Sequence, residues 1–174
     1  MYMNTLIRRS VIDDRDAIVA VGRQAVALSH RESCSAEHLD YYLDAHYNRE
    51  AITRELTDPL NIYHTVFCDN DAAGFSKMVL NAPHPNISQS NTTKLDRIYI
   101  LRDYYDRDLG RQLLCRNIEV AQDNRQCGIW LFTWQGNERA IKFYKRNGFV
   151  VVGEHMFKVS ETHYNPNFQM LLTF

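Results

Sequence analysis

Apolar positions change period several times along the chain, and each change marks an element. Short apolar runs at residues 6–11, 62–68, 73–80, 95–100, 128–134, 149–159 and 168–174 predict strands. Ile18, Val19, Val21, Ala25 and Leu28 recur at roughly helical spacing. They predict a helix over 13–28, with acidic residues in the first turn, where the helix dipole favours them. Residues 36–57 read as one broken helix or two short ones. That stretch ends before Asp58-Pro59, because the residue preceding a proline is pushed out of the helical region. Leu109, Leu113, Leu114, Ile118 and Ala121 share a face and predict a helix over 109–122. A last helix over 137–147 is closed by Gly148, which most easily takes the left-handed cap conformation.

The connections carry their own signals. Asp69-Asn70-Asp71 is turn chemistry and makes 62–68 and 73–80 a hairpin. Residues 81–93 form a polar loop with two prolines, expected to be mobile. The run 128–134 is apolar throughout, as a strand buried on both faces would be. No repeat or Pro/Gly/Ser-rich linker divides the chain, so one domain over 1–174 is expected. The order is a strand, helices, three strands, a helix, a strand, a helix and two strands. That is a mixed α/β (α+β) domain and not a regular alternation.

Composition narrows the function. Hydrophobic residues make up 45% and charged residues 24%, which excludes a disordered or low-complexity chain. Twenty basic against twenty-one acidic residues argue against a general nucleic-acid binder. No apolar run nears the roughly 18 residues of a membrane span, and Met1 to Arg9 holds no stretch long enough for a secretory signal. A cytoplasmic protein without membrane or nucleic-acid partners is the expectation. Cys34, Cys68, Cys115 and Cys127 form no C-x-x-C pair and the seven histidines are scattered, so no metal site is expected.

Two segments carry chemistry. The strand 95–100 ends in a charged loop that feeds the helix at Asp108-Leu-Gly-Arg-Gln-Leu-Leu114. Free N–H groups and about half a positive charge at such a helix start suit a phosphate, and Arg107 and Arg111 flank it. An ordinary crossover with a solvated charged face reads equally well. In the second segment, Asn137, Ala140 and Tyr144 fall at i, i+3 and i+7, one stripe of a helix. An N-cap asparagine and a core tyrosine would explain them just as simply.

Together these segments are more specific. Arg97-Ile-Tyr-Ile100, Leu109-Gly-Arg-Gln-Leu-Leu114 and Asn137-Glu-Arg-Ala-Ile-Lys-Phe-Tyr-Lys145 with Gly148-Phe149 resemble the GCN5-related N-acetyltransferase (GNAT) family. With Gly128-Ile-Trp-Leu131, they look most like its bacterial spermidine/spermine acetyltransferase branch. The resemblance implies a mostly antiparallel central sheet with helices on both faces. It implies an enzyme, monomeric or homodimeric, that moves acetyl from acetyl-CoA directly to a primary amine of a small molecule, with a polyamine as one candidate. The alternatives are a protein or peptide N-acetyltransferase and a non-catalytic acyl-CoA-binding relative.

Residue by residue, the resemblance assigns the coenzyme to Ile98, Tyr99 and Ile100, with backbone groups around Ile98 and Ile100 pairing with the pantetheine arm like an added strand. The turn Asp106, Arg107, Asp108, Leu109, Gly110 and Arg111 would hold the pyrophosphate. Asn137 would bond the pantetheine, Lys145 and Arg146 would face the nucleotide, and Tyr144 would protonate the departing thiolate. An alkyl ammonium with pKa about 10.4 is almost wholly charged at neutral pH, so something must take its proton. Asp96 stands where related enzymes often carry a glutamate, and is either that base or an ion-pair partner of Lys94 or Arg97. The family's turn usually reads Q/R-x-x-G-x-G/A, whereas here it is Tyr105-Asp-Arg-Asp-Leu-Gly110. Asp108 is expected to cap the helix through the N–H groups of Gly110 and Arg111, competing with phosphate for them. The acceptor is expected near residues 29–46, where Glu32, Glu37, Asp40 and Asp44 lean negative and Tyr41 and Tyr42 offer walls.

Overall fold

The computed structural model describes residues 4–174, so Met1-Tyr2-Met3 of the N-terminal reading lie outside it. Strand β1 (Thr5–Arg9) is followed by a 3₁₀ turn at Ile12–Asp14 and by helices α1 (Arg15–His30), α2 (Ala36–His46) and α3 (Arg49–Thr57). Strands β2 (Asn61–Cys68), β3 (Asp71–Val79) and β4 (Thr92–Ile100) come next, then α4 (Leu109–Asp123), β5 (Gly128–Trp134), α5 (Glu138–Arg146), β6 (Val150–Lys158) and β7 (Tyr164–Thr173). The strands form one sheet in the order β1-β2-β3-β4-β5-β7-β6. Every neighbouring pair is antiparallel except β4 and β5.

Local chemistry explains most boundaries. The stretch 36–57 divides because Asn48 caps a new helix, its side chain accepting from Ala51 N at 2.8 Å. Asp69 and Asn70 both take positive φ, 49° and 74°, as a tight hairpin turn requires. Strand β4 starts at Thr92, earlier than the sequence pattern suggests, because two polar residues hide a buried strand start. The Thr92 hydroxyl donates to Ala82 O at 3.2 Å and that of Thr93 to Gln126 Oε1 at 3.2 Å, so burying them leaves nothing unpaired. Strand β7 likewise begins at Tyr164, where Asn165, Asn167 and Gln169 alternate on one buried face. Strand β1 is shorter than expected and stops at Arg9. The loop 81–93, expected to be mobile, is pinned. Ile87 is buried and the Trp130 indole N–H donates to Ala82 O at 2.7 Å.

Alternation along the central strands makes two cores. Ile62, Met78, Leu95 and Ile129 pack under Leu114 and Ala121 of α4 and Tyr144 of α5. Their neighbours Tyr63 and Phe75 pack on the opposite face against Ile18 and Val21 of α1, Leu43 of α2 and Ile52 of α3. Phe75 and Met78 are each fully buried, and each such side chain stabilises the fold by roughly 1.5–3 kcal/mol. Met78→Ala would cost about 2–5 kcal/mol.

One irregularity positions the site. Strand β4 pairs with β5 only over Thr92–Lys94, opposite Gly128–Trp130. Immediately beyond, the β3–β4 register slips: Lys77 faces Arg97 and Met78 faces Leu95, leaving Asp96 as the unopposed residue of a bulge. A bulge bends and twists its strand. From there β4 and β5 run apart and the sheet opens.

Candidate active site

The opening between β4 and β5 is a cleft of about 570 Å³. It reaches both faces of the sheet, with walls from α4 and α5 on one side and from α1 and α2 on the other. Its β4 wall is unpaired main chain. Leu101 N donates to Ala73 O at 2.8 Å, and the two-residue period of an antiparallel ladder then turns Tyr99 and Arg97 towards β3 as well. Ile98 and Ile100, between them, point their N–H and C=O groups into the cleft. The expected backbone donors and acceptors are therefore those of Ile98 and Ile100 but not of Tyr99. Tyr99 spends its main chain on β3 and lends only its side chain to the cleft wall.

On the α4–α5 face, the turn before α4 holds Asp106 and Asp108 at φ 60° and 58°. Asp108 occupies the left-handed conformation that a glycine would take without strain. It does not cap the helix, contrary to expectation: in the left-handed region its side chain makes no cap bond. The carboxylate instead accepts from the Arg111 guanidinium, with N–O distances of 2.6–3.0 Å. The N–H groups at the start of α4 are thereby left to a ligand. Leu109 anchors the turn in the core, and a Cβ on Gly110 would meet nothing closer than 3.8 Å. Nothing within the protein demands a glycine there; a ligand lying against it would. Arg139 lies 3.5 Å above the Tyr105 ring and 3.9 Å from Asp106, bringing a further cation to this end. Arg146 and Arg111 reach the cleft, whereas Lys145 and Arg107 are not among its walls. Arg107 lies over the Tyr104 ring at 5.3 Å.

Helix α5 supplies the next wall. Asn137 caps it, its Oδ1 accepting from Ala140 N at 3.1 Å, which leaves the amide NH₂ for another acceptor. Tyr144, two turns on, is buried at 8% exposure and lines the cleft. Burial pushes its phenol well above the ordinary tyrosine range, so it carries its proton at neutral pH.

The α1–α2 face differs in kind. Asp96 projects from the bulge into an ionic cluster, 2.6 Å from Lys94 Nζ and 3.1 Å from Lys77 Nζ. Lys77 also meets Glu55 at 3.3 Å, and Arg97 holds Glu55 through two contacts at 2.9 and 3.1 Å. The Tyr63 hydroxyl donates to the same Glu55 and accepts from Arg97. Burial pushes the Asp96 carboxyl up, but the ammonium groups of Lys94 and Lys77 outweigh it and hold the group far below the usual carboxylate range. The ion pairs foreseen in the second sequence reading of Asp96 are present, with the carboxylate half-buried where a surface pair was foreseen. A carboxylate so reluctant to take a proton is a poor general base.

The acids proposed for the acceptor also lie elsewhere. Glu32, Glu37, Asp40 and Asp44 are not among the cleft walls. Glu32 pairs with Arg31 at 3.2 Å and Asp44 with Arg23 at 2.8 Å. Tyr41 is exposed, and only Tyr42 of the pair faces the cleft. The sequence reading missed His30, Phe132, Trp134 and Phe157, which come together only because α1, β5 and β6 meet at the opening. His30 sits beside Trp134, ring centroids 6.1 Å apart, and burial lowers its pKa to about 4. Arg139 was missed too; its place in the first turn of α5, two residues after Asn137, was the available signal. Among the described residues no three His, Cys, Asp or Glu side chains stand together as metal ligands.

Residues 24–149 match the acetyltransferase (GNAT) family. The chain is 24% identical over 148 residues to an uncharacterized N-acetyltransferase of Lactobacillus delbrueckii subsp. lactis, covering 85% of this chain and 86% of that protein. It is 26% identical over 153 residues to the spermine/spermidine N(1)-acetyltransferase of Bacillus subtilis (strain 168), covering 87% and 91%. Among solved structures, the PaiA N-acetyltransferase of Thermoplasma acidophilum, determined in complex with coenzyme A, matches with a TM-score of 0.81. It does so at 20% identity over 99% of this chain and all of that one.

Proposed function

The chain belongs to the acetyltransferase (GNAT) family, and on that premise we propose that it transfers acetyl from acetyl-CoA directly onto a primary amine of a small molecule. The observation that carries this reading is the cleft open to both faces of the sheet, with the free main chain of Ile98 and Ile100 on its edge. The coenzyme supplies the activated acyl group as a thioester. Ile98 and Ile100 offer N–H and C=O groups to an extended arm, and one such N–H can polarise the acyl carbonyl. The N-terminus of α4 and Arg111, with Arg139 across the cleft, serve the phosphates. Asn137 offers its amide NH₂ to the arm. Tyr144 gives its proton to the sulfur as the C–S bond breaks, the new C–N bond releases one amine proton to solvent, and the Tyr144 phenolate regains a proton from solvent.

Asp96 holds the bulge and the ion pairs around it, and solvent takes the amine proton. The ionic cluster around Asp96 keeps one positive charge in excess, which favours the neutral amine over the ammonium. Transfer is direct, so Cys34, although it lines the cleft, stays unacylated. The name of the Bacillus subtilis relative makes spermidine the reference acceptor. Acetyl-CoA is available in the cytoplasm, and no helix of the described residues is long and apolar enough to cross a membrane. Titration calorimetry with acetyl-CoA, followed by an amine screen that measures released thiol, tests the reading. Micromolar binding and turnover with a small amine are expected; no binding of acetyl-CoA would end it.

A further inference from the structure

Building on the acetyltransferase reading, we propose that the acceptor is a monoamine with an aromatic or otherwise apolar body, of the 2-arylethylamine kind, and not a polyamine. The α1–α2 end of the cleft is walled by Tyr42, Phe132, Trp134 and Phe157. Tyr42 and Phe157 meet edge to face with centroids 6.1 Å apart, and Trp134 lies beside His30. Such ring faces stack on an aromatic body and attract a single ammonium through their negative faces.

The charges point the same way. Asp96 is the one carboxylate in the wall at this end, and it is already shared between Lys94 and Lys77. Counting the cluster, Asp96 and Glu55 stand against Lys77, Lys94 and Arg97, so one positive charge is left over. A polycation would place each further ammonium beside that surplus with no free acid to receive it. The side chains that could have served a polycation, Glu32, Glu37, Asp40 and Asp44, lie outside the wall. His30 provides the polar handle instead. Its imidazole lines the cleft, has no hydrogen-bond partner among the described residues, and can accept a bond from the amine.

The test compares kcat/KM for 2-phenylethylamine and spermidine at saturating acetyl-CoA, with calorimetry of both amines on the CoA-loaded protein. A preference on the order of tenfold or more for 2-phenylethylamine is expected, typical of what a hydrophobic pocket discriminates. Phe157→Ala should erase most of that preference by raising KM for the arylamine, and Lys94→Gln should move the ratio towards spermidine. Equal or better use of spermidine by the parent overturns the inference and leaves the acetyltransfer reading intact. So does failure of both amines to bind or react while acetyl-CoA binds. If acetyl-CoA itself does not bind, the underlying reading falls instead. An unchanged ratio in folded Phe157→Ala also overturns the inference, and Tyr42→Ala repeats that test should Phe157→Ala fail to fold.

Discussion

The two ends of the cleft are made of different material. On the α4–α5 face the ligand-directed groups are mainly main chain: Ile98, Ile100 and the first turn of α4, with exposed arginines around them. On the α1–α2 face they are side chains from α1, α2, β4, β5 and β6, braced by a buried ionic cluster. Main-chain groups survive replacement of the residues that carry them. Asp108 illustrates this, holding the left-handed conformation at φ 58° in the position where the family usually has glycine. The other end has no such tolerance, because its shape and charge are the side chains themselves. The common chemistry can thus stay constant while the acceptor changes.

The sharpest separation of the two ends is Tyr144→Phe. Loss of the proton donor should lower kcat by roughly 10²–10⁴-fold while acetyl-CoA affinity stays within about threefold. Equal turnover would return Tyr144 to the core and leave the donor end without its acid. Trapping an acetyl group on Cys34 during turnover would likewise replace direct transfer with a covalent intermediate.

Arg97→Met breaks the other end. Arg97 and Glu55 are 7% and 18% exposed. Without Arg97, Glu55 keeps Lys77 at 3.3 Å and the Tyr63 hydroxyl, so the loss is that of the charge-assisted bonds from Arg97, about 1.5–3 kcal/mol of stability. Urea unfolding should show that loss, while acetyl-CoA still raises the melting temperature of the folded fraction. A loss under about 1 kcal/mol would mean that the cluster is not what holds the acceptor wall.

Asp96→Asn should be milder. Placed as an ion-pair partner, Asp96 should cost no more than about tenfold in kcat/KM when neutralised, a smaller loss than a general base gives. The pH profile from 5 to 9 should keep its acid limb. Because its carboxyl titrates far lower when folded than when unfolded, its stabilisation is whole above about pH 3.9 and is lost only as acid approaches the folded value. A loss of 10²-fold or more together with a vanished acid limb would restore Asp96 as the base.

Asp108→Gly is the smallest change. It removes a carboxylate from the phosphate turn and relieves a left-handed non-glycine residue. Acetyl-CoA should bind a few-fold tighter, with a melting temperature changed by no more than about 2 °C. Weaker binding would show that the Asp108–Arg111 pair organises the turn for the ligand.

Much of the donor end was legible in the sequence because its signals are local. The Leu109–Leu114 helix start, the Asn137–Tyr144 stripe and the Asp69-Asn70 turn each lie within one element, where spacing and backbone preference decide the outcome. The same locality carried the sheet's strands, except where buried polar residues such as Thr92, Asn165 and Asn167 broke the apolar run that marks a strand. The bulge at Asp96, the parting of β4 from β5 and the aromatic wall were decided by tertiary structure alone. Whether Tyr99 or Ile98 faces the coenzyme turns on which residues pair with β3, and no local pattern encodes that register. The state of Asp96 is set by Lys77, nineteen positions away and on another strand, so its chemistry exists only once the sheet has formed.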